Sequence, residues 1–212
     1  MTQTRTAEQT VFVVDDDVDV RDSLQWLLSS VGLHVETFAS ADAFFQAAAN
    51  APLRGCILMD VRMPGMSGLA AQTELEKRAI HLPLIMISGH ADVDMAVTAM
   101  TQGALTFLQK PFSDQKLIDH VYAALEQEQL TFLKQTELAA LKHTYSQLTR
   151  RERQVFDGVV AGLANQEIAD QLSINRKTVE GHRANMVAKM GAGSLSELVQ
   201  MSVKLGLASP FR

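Results

Sequence analysis

Short apolar runs alternate with amphipathic stretches over the first 125 residues. The runs are 4–6 residues long and mostly apolar on both faces, which is typical of strands in a parallel sheet covered on both sides. They are Thr10–Val14, Leu33–Phe38, Cys56–Met59, Leu84–Ile87 and Leu105–Leu108. The stretches with helical spacing cover residues 18–31, 40–50, 66–79, 92–102 and 113 onward. This order predicts an α/β domain with a doubly wound, five-stranded parallel sheet.

The pattern after Leu148 is helical throughout. It predicts four helices, at residues 150–161, 166–172, 176–190 and 195–205. Thr149 with Glu152, and Ser194 with Glu197, have the spacing of capping boxes. The preceding stretch contains many helix formers and neither Gly nor Pro. We therefore predict an α/β domain at 10–127, a helical linker at 128–146 and an all-α domain at 147–212.

Composition narrows the class of protein. The chain has 212 residues, of which 47% are apolar and 20% charged, enough to bury a core. The single cysteine, Cys56, excludes an intramolecular disulfide and a cysteine-based zinc cluster. No apolar run is long enough to span a membrane, and the first nine residues lack the apolar region of a secretory signal. We expect a cytoplasmic protein without membrane contact, and we expect Trp26 to lie in the core.

The net charge of −5 conceals a difference between the two parts of the chain. Residues 1–147 contain 10 Lys or Arg and 18 Asp or Glu, a net charge of −8. Residues 148–212 contain 9 Lys or Arg and 6 Asp or Glu, a net charge of +3. This asymmetry suggests that the two parts have different partners, although +3 by itself is a weak indication of nucleic acid.

Five polar side chains follow four of the predicted strands. Asp15 and Asp16 follow the first strand, Asp60 the third, Ser88 the fourth and Lys110 the fifth. Because the carboxyl ends of parallel strands meet at one edge of a sheet, we expect these side chains to lie together. Three clustered carboxylates repel one another and favour a hard cation such as Mg²⁺. A hydroxyl and an ammonium beside that metal suit a phosphoryl group.

Two alternatives apply to these carboxylates. Asp residues after strands often cap the next helix, and Asp17 or Asp19 could do so here. An Asp-nucleophile phosphatase on a similar sheet is the second alternative, since an Asp-x-Asp follows the first strand. The fifth position of that phosphatase motif requires Thr or Val, whereas this chain has Asp19.

Residues 10–127 resemble the receiver domain of two-component response regulators. The matching residues are Asp15-Asp16, Asp60 to Gly65, Ser88-Gly89-His90, Phe107 and Lys110-Pro111-Phe112. The resemblance implies a flavodoxin-like fold and phosphorylation of Asp60 by a sensor histidine kinase. It also implies that Asp16, Asp60 and the backbone carbonyl of Arg62 bind Mg²⁺, with Asp15 holding a metal-bound water.

The same resemblance implies how the phosphorylated state differs. Ser88 would bond the phosphoryl oxygens, and Lys110 would form an ion pair with the phosphoaspartate. Phe107, where the family often has Tyr, would occupy the space that Ser88 leaves. The alternative is that Phe107 is an ordinary core residue with no role in switching. The Lys110-Pro111 peptide bond is expected to be cis.

Two further residues, Arg62 and His90, lie two positions beyond Asp60 and Ser88. The resemblance implies that their side chains lie near the path of a hydrolytic water, where they would set the lifetime of the phosphoryl group. The alternative is that either side chain is simply solvated.

Residues 165–190 have the pattern of a helix-turn-helix, with a turn at 173–175. On the second helix the spacing predicts a buried stripe, which consists of Val179, Met186, Val187 and Met190. The outward side chains include small residues and cations that suit DNA. They are Lys177, Glu180, Gly181, Arg183, Ala184 and Lys189. The alternatives are a helical packing unit with a solvated basic face, and an adaptor that binds protein.

Residues 147–209 resemble the LuxR-type DNA-binding domain through Leu148 to Val155, Asn165 to Ala169 and Lys177 to Arg183. Together with the receiver they place the chain in the FixJ/NarL class, in its FixJ-like branch. The residues that the resemblance assigns to DNA are Lys177, Thr178, Glu180, Gly181, His182, Arg183, Ala184, Asn185 and Lys189. Glu180, Gly181 and Ala184 are expected nearest the bases. The others would serve mainly phosphates, although Arg183 could reach a guanine.

The sequence therefore predicts a phosphorylation-switched transcription activator rather than an enzyme. Its expected partners are a sensor histidine kinase, double-stranded promoter DNA and RNA polymerase. The resemblance implies a homodimer on phosphorylation, formed through residues 92–102 and 104–107.

Overall fold

The computed structural model describes residues 9–49, 52–89 and 93–207, which form two compact units divided between Thr131 and Phe132. The elements of the first unit follow the predicted alternation of strands and helices. They are β1 (Thr10–Val14), α1 (Val18–Ser30), β2 (His34–Phe38), α2 (Ala41–Ala48), β3 (Gly55–Asp60), α3 (Gly68–Lys77), β4 (Leu84–Ser88), α4 (Val93–Thr101), β5 (Thr106–Gln109) and the first part of α5 (Asp114–Ser146). His90 and Asp92 lie outside the described residues.

The five strands form one parallel sheet in the order β2-β1-β3-β4-β5. This is the doubly wound, flavodoxin-like order, and it confirms the predicted fold class. Val14 pairs with Met59, and Ser88 pairs with Gln109. The register therefore brings the carboxyl ends of β1, β3, β4 and β5 to the same edge of the sheet.

Alternate residues of the strands face two separate cores, because side chains in a strand alternate between the faces of the sheet. Phe12 and Val14 belong to the core that includes Phe44 of α2. Val11 and Val13 belong to the core that includes Leu117 of α5. Strands buried on both faces explain why the runs read as continuously apolar rather than alternating.

Helix α1 contradicts one expectation. Trp26 is 75% exposed and does not lie in the core. The buried face of α1 is formed by Leu24 and Leu28, one helical turn apart, and a residue midway between them points away from the sheet. The start of this helix supports the capping alternative for Asp17, whose side chain accepts hydrogen bonds from the backbone N–H groups of Asp19 and Val20.

Helix α5 is continuous from Asp114 to Ser146 and includes the residues of the predicted linker. Its first part is anchored by a buried ion pair that sequence analysis missed. Arg54 donates from Nε to Glu128 Oε1 at 2.5 Å and from Nη2 to Oε2 at 3.0 Å. Gln9 donates to the same carboxylate at 2.7 Å. Both charged side chains are only 7% exposed, so this pair joins the start of β3 to α5.

The single cysteine, Cys56, lies in β3 and is a buried free thiol. Burial and the nearby Glu128 raise the pKa of this thiol to about 12. The thiol is therefore protonated at neutral pH and is a poor nucleophile.

The second unit contains the four predicted helices, α6 (Arg150–Val160), α7 (Asn165–Leu172), α8 (Arg176–Met190) and α9 (Leu195–Lys204). Their shared core includes Phe156, Ile168 and Met186. The boundaries of the three predicted parts of the chain stay a prediction. In the described part of the chain, no helix is long and apolar enough to cross a membrane.

The capping boxes differ in outcome. Thr149 and Glu152 form the predicted box at the start of α6. At α9 the Ser194 side chain caps the helix, but Glu197 accepts from the N–H of Gly193 instead of that of Ser194. The second box is therefore only half formed, because the carboxylate reaches one residue further back.

Candidate functional site

Asp15, Asp60 and Lys110 form a side-chain cluster at the carboxyl edge of the sheet. Lys110 Nζ lies 2.9 Å from Asp15 Oδ2 and 3.0 Å from Asp60 Oδ1. The two carboxylates are buried, and the Lys110 side chain is 24% exposed. Asp15 and Asp60 stand at the ends of neighbouring strands, so the sheet itself sets their separation. The Lys110 ammonium group is thus held between the two carboxylates.

Electrostatics at this cluster depend on burial and on Lys110. Burial raises the pKa of Asp60, while the hydrogen bonds from Lys110 and from the backbone N–H of Arg62, the latter at 2.6 Å, act in the opposite direction. Burial alone would lower the pKa of Lys110, but its hydrogen bonds to Asp15 and Asp60 raise that pKa overall. Lys110 therefore remains a cation at neutral pH.

The other predicted residues of this site have different surroundings. Ser88 is buried at the end of β4, and its backbone carbonyl accepts a hydrogen bond from the backbone N–H of Lys110 at 2.8 Å. The peptide bond between Lys110 and Pro111 is cis, as predicted. Phe107 is half-buried and packs against the core that contains Phe12 and Met86. The Arg62 side chain is exposed.

Of the three carboxylates predicted to form a metal site, only Asp15 and Asp60 share a contact with Lys110. Asp16 is exposed next to the cluster, and the described residues contain no group of three His, Cys, Asp or Glu arranged to hold a metal ion. The donors nevertheless fit Mg²⁺ in chemistry, because Asp15 and Asp60 converge on one cationic atom and carboxylate oxygens are its preferred protein ligands.

In the second unit, α7, a tight turn and α8 form the predicted helix-turn-helix. Ser173 ends α7 in the left-handed conformation, with φ of +54°, and the Asn175 side chain caps α8 by accepting from the backbone N–H of Thr178 at 2.8 Å. Of the predicted buried stripe, Val179, Met186 and Met190 are buried and Val187 is half-buried. The opposite face of α8 is thereby left to the solvent.

The residues assigned to DNA lie largely on that opposite face. The exposed ones are Lys177, Glu180, Gly181, Ala184, Asn185 and Lys189, and the half-buried ones are Thr178, His182 and Arg183. A Cβ atom added at Gly181 would meet no other atom within 4 Å. Packing within the protein therefore does not require glycine there.

Sequence analysis missed the partners of three of these charged residues, Glu180, Arg183 and Lys189. Glu180 accepts a hydrogen bond from Arg176 at 3.0 Å, a contact that the four-residue spacing on one helix could have predicted. Arg183 donates to Asn165 at 2.8 Å, and Lys189 donates to the buried Glu152 at 2.6 Å. The last two contacts join different helices, and no periodic signal in the sequence reveals them.

Comparison with protein families gives two matches. Residues 11–122 match the response regulator receiver domain, and residues 146–202 match the bacterial regulatory proteins of the luxR family. The two matches cover the sheet with its flanking helices and the helix-turn-helix.

Curated relatives match along almost the whole chain. Transcriptional regulatory protein FixJ of Azorhizobium caulinodans is 46% identical over 199 residues, which is 93% of each chain. Nodulation protein W of Bradyrhizobium diazoefficiens is 43% identical over 94% of this chain and 87% of its own length. Transcriptional regulatory protein TdiR of Thauera aromatica is 43% identical over 92% of this chain and 86% of its own length.

Solved structures of similar proteins agree with these relatives. Response regulator StyR is 40% identical, with a TM-score of 0.86, and the match covers 93% of this chain and all of that one. Full-length FixJ from B. japonicum is 38% identical, with a TM-score of 0.58, and the match covers 96% of this chain and all of that one.

Proposed function

We propose a mechanism from one premise: this chain belongs to the response regulators of two-component signalling, as a transcription regulator with a receiver domain and a LuxR-type DNA-binding domain. A sensor histidine kinase phosphorylates Asp60. The added charge promotes formation of a homodimer, whose helix-turn-helix units bind promoter DNA in the cytoplasm and activate transcription with RNA polymerase. The observation that carries this proposal is the cluster of Asp60, Asp15 and Lys110 at the carboxyl edge of the sheet.

The chemical step is attack by a carboxylate oxygen of Asp60 on the phosphorus of the kinase phosphohistidine. The P–O bond forms as the P–N bond breaks, and the imidazole takes up a proton from solvent. Asp16, Asp60 and the backbone carbonyl of Arg62 would hold Mg²⁺, with Asp15 beside them. The metal would supply neutralisation of the charge on the transferring group. The product is an acyl phosphate that water later hydrolyses.

Lys110 and Ser88 respond to the new charge. Phosphorylation adds about −1.5 to −2 charges, and Lys110 is already within 3.0 Å of the acceptor carboxylate. The Ser88 hydroxyl donates to a phosphoryl oxygen, so that both residues draw the ends of β4 and β5 toward Asp60. Phe107 then moves toward the space that Ser88 leaves. In this proposal only packing contacts hold the Phe107 ring in its inward position, because Phe lacks the hydroxyl with which Tyr could form a hydrogen bond.

The receiver surface beside this site offers an apolar face for dimerisation. On α4, Val97 is 58% exposed and Met100 is 46% exposed. We propose that residues 92–102 and 104–107 form the dimer surface, with Asp92 lying outside the described residues. A single basic unit contacts few phosphates and binds weakly, whereas two units on a two-fold operator approximately add their binding energies.

Labelling with acetyl phosphate and Mg²⁺ tests the acceptor site. We expect one phosphoryl group per chain by intact mass, located at Asp60, with increased self-association in sedimentation and tighter binding to a selected duplex. Asp60→Asn should abolish all three changes. Persistent labelling of that variant would contradict the site. Sustained release of phosphate from a monoester by catalytic amounts of protein would favour a phosphatase, and selection of no duplex would favour an adaptor.

A further inference from the structure

Arg183 of α8 is held by a residue of the preceding helix. Its Nη1 donates to Asn165 Oδ1 at 2.8 Å, although the two residues are 18 positions apart in the chain. Both side chains are half-buried, and Asn165 is the first residue of α7. The contact therefore crosses the helix-turn-helix, from the start of its first helix to the middle of its second.

The partner of Arg183 differs in kind from those of Arg176 and Lys189, two other cations of α8. Arg176 pairs with the carboxylate of Glu180, and Lys189 pairs with the carboxylate of Glu152. Both of those pairs offset the positive charge. Asn165 is neutral and accepts one hydrogen bond, while a guanidinium has five N–H donors. Arg183 thus keeps its charge and several donors while its position is restricted.

Arg183 contacts Asn165 although a second possible partner, Glu180, lies on its own helix. Glu180 stands three residues before Arg183 on the same helix, a spacing at which opposite charges can pair. Glu180 instead contacts Arg176 on the side of the helix N-terminus. Gly181 and Ala184 are small exposed residues of the same helix, and they leave room for a close approach of another molecule.

We propose that Asn165 is a positioning residue for base recognition. It holds the Arg183 guanidinium so that its remaining N–H groups face one base pair, with the geometry that donates two hydrogen bonds to O6 and N7 of a guanine. An exposed arginine loses rotamer freedom when it binds, and a side chain that is already oriented loses less. This inference rests on the proposed function, in which α8 enters the major groove.

Selection from random duplexes tests the role of Asn165 in the full chain, with and without acetyl phosphate and Mg²⁺. The variants are Asn165→Ala, Asn165→Asp, Arg183→Ala and the double alanine variant. For Asn165→Ala we expect the guanine preference at one position of each half-site to fall about tenfold, with unchanged preferences elsewhere. The salt dependence of binding and the melting temperature should also stay unchanged.

The remaining variants separate positioning from a structural role. Arg183→Ala should lose the same preference, and the double variant should lose no more than Arg183→Ala alone. Asn165→Asp keeps the accepting oxygen, so it should retain the guanine preference while binding all sequences more weakly, because its charge repels phosphates. An Asn165→Ala protein with unchanged guanine preference, or with equal losses at all positions and a lower melting temperature, would overturn the inference. If the unmodified chain selects no duplex, the proposed DNA binding fails first and the inference fails with it.

Discussion

Asp60 and Lys110 are 50 residues apart in the chain, yet Nζ of Lys110 lies 3.0 Å from Oδ1 of Asp60. The same ammonium contacts Asp15 at 2.9 Å. It therefore balances two buried carboxylates that would otherwise repel each other at the edge of the sheet.

Replacing Lys110 by methionine should destabilise the receiver by about 1–3 kcal/mol, because two buried carboxylates lose their shared cation. Addition of Mg²⁺ should then raise the melting temperature of Lys110→Met more than that of the unmodified chain, since a divalent cation replaces the lost charge. Thermal melting with and without Mg²⁺ measures this. Adding Asp16→Ala to Lys110→Met is the control and should reduce the response. Equal responses in the unmodified chain and Lys110→Met would argue against a metal at these carboxylates.

Removing the arginine of the buried Arg54–Glu128 pair should cost about 3–5 kcal/mol, because Glu128 is left buried without its counter-charge. Urea unfolding of Arg54→Met followed by circular dichroism measures the loss. The double variant Arg54→Met with Glu128→Leu should recover much of it. The pair of Lys77, whose side chain is 68% exposed, and Glu74 provides the control, where Lys77→Ala should cost below about 1 kcal/mol. Similar costs at the two sites would contradict the structural role of the buried pair.

Glu152, a member of the capping box of α6, should make the stability of the second unit depend on pH. The hydrogen bond from Lys189, and then that from the Thr149 backbone, lower the pKa of Glu152 below its ordinary value of 4.5. This contribution is fully present above that ordinary value and is lost as the pH falls through the lowered pKa. The difference in urea midpoint between the unmodified chain and Glu152→Gln should therefore shrink as the pH is lowered below 4.5. A difference that is constant with pH would count against the ion pair.

Lys177 and Ala184 should affect DNA binding in different ways. Lys177→Ala should weaken binding to all sequences and reduce the slope of log affinity against log salt by about 1, as expected for one lost phosphate contact. Ala184→Arg should instead change which sequences are selected. Titrations of selected and unselected duplexes at several salt concentrations distinguish the two. Lys189→Ala should also weaken binding generally, but it removes the partner of the buried Glu152 and so reports on stability as well.

Local sequence patterns were enough to predict the fold and the strand that each residue of the candidate site follows. Apolar runs of strand length, helical spacing between them and the cap at Thr149 predicted elements that the structure confirms. The proximity of Asp15, Asp60 and Lys110 could be predicted from the sequence, because parallel strands end at one edge of the sheet. These inferences need only short-range periodicity and one topological rule, so a single sequence suffices for them.

Contacts between distant side chains were decided only by the tertiary structure. The Arg54–Glu128 pair and the hydrogen bond between Arg183 and Asn165 have no periodic signature. Each depends on the packing of whole elements, which sets distances between residues that the chain order leaves open. The sequence by itself therefore determined the elements and which side chains follow which strands. The three-dimensional packing alone decided which charges are buried together and which residues of α8 are already engaged, because an ion pair or hydrogen bond forms only where side chains are held within a few ångströms.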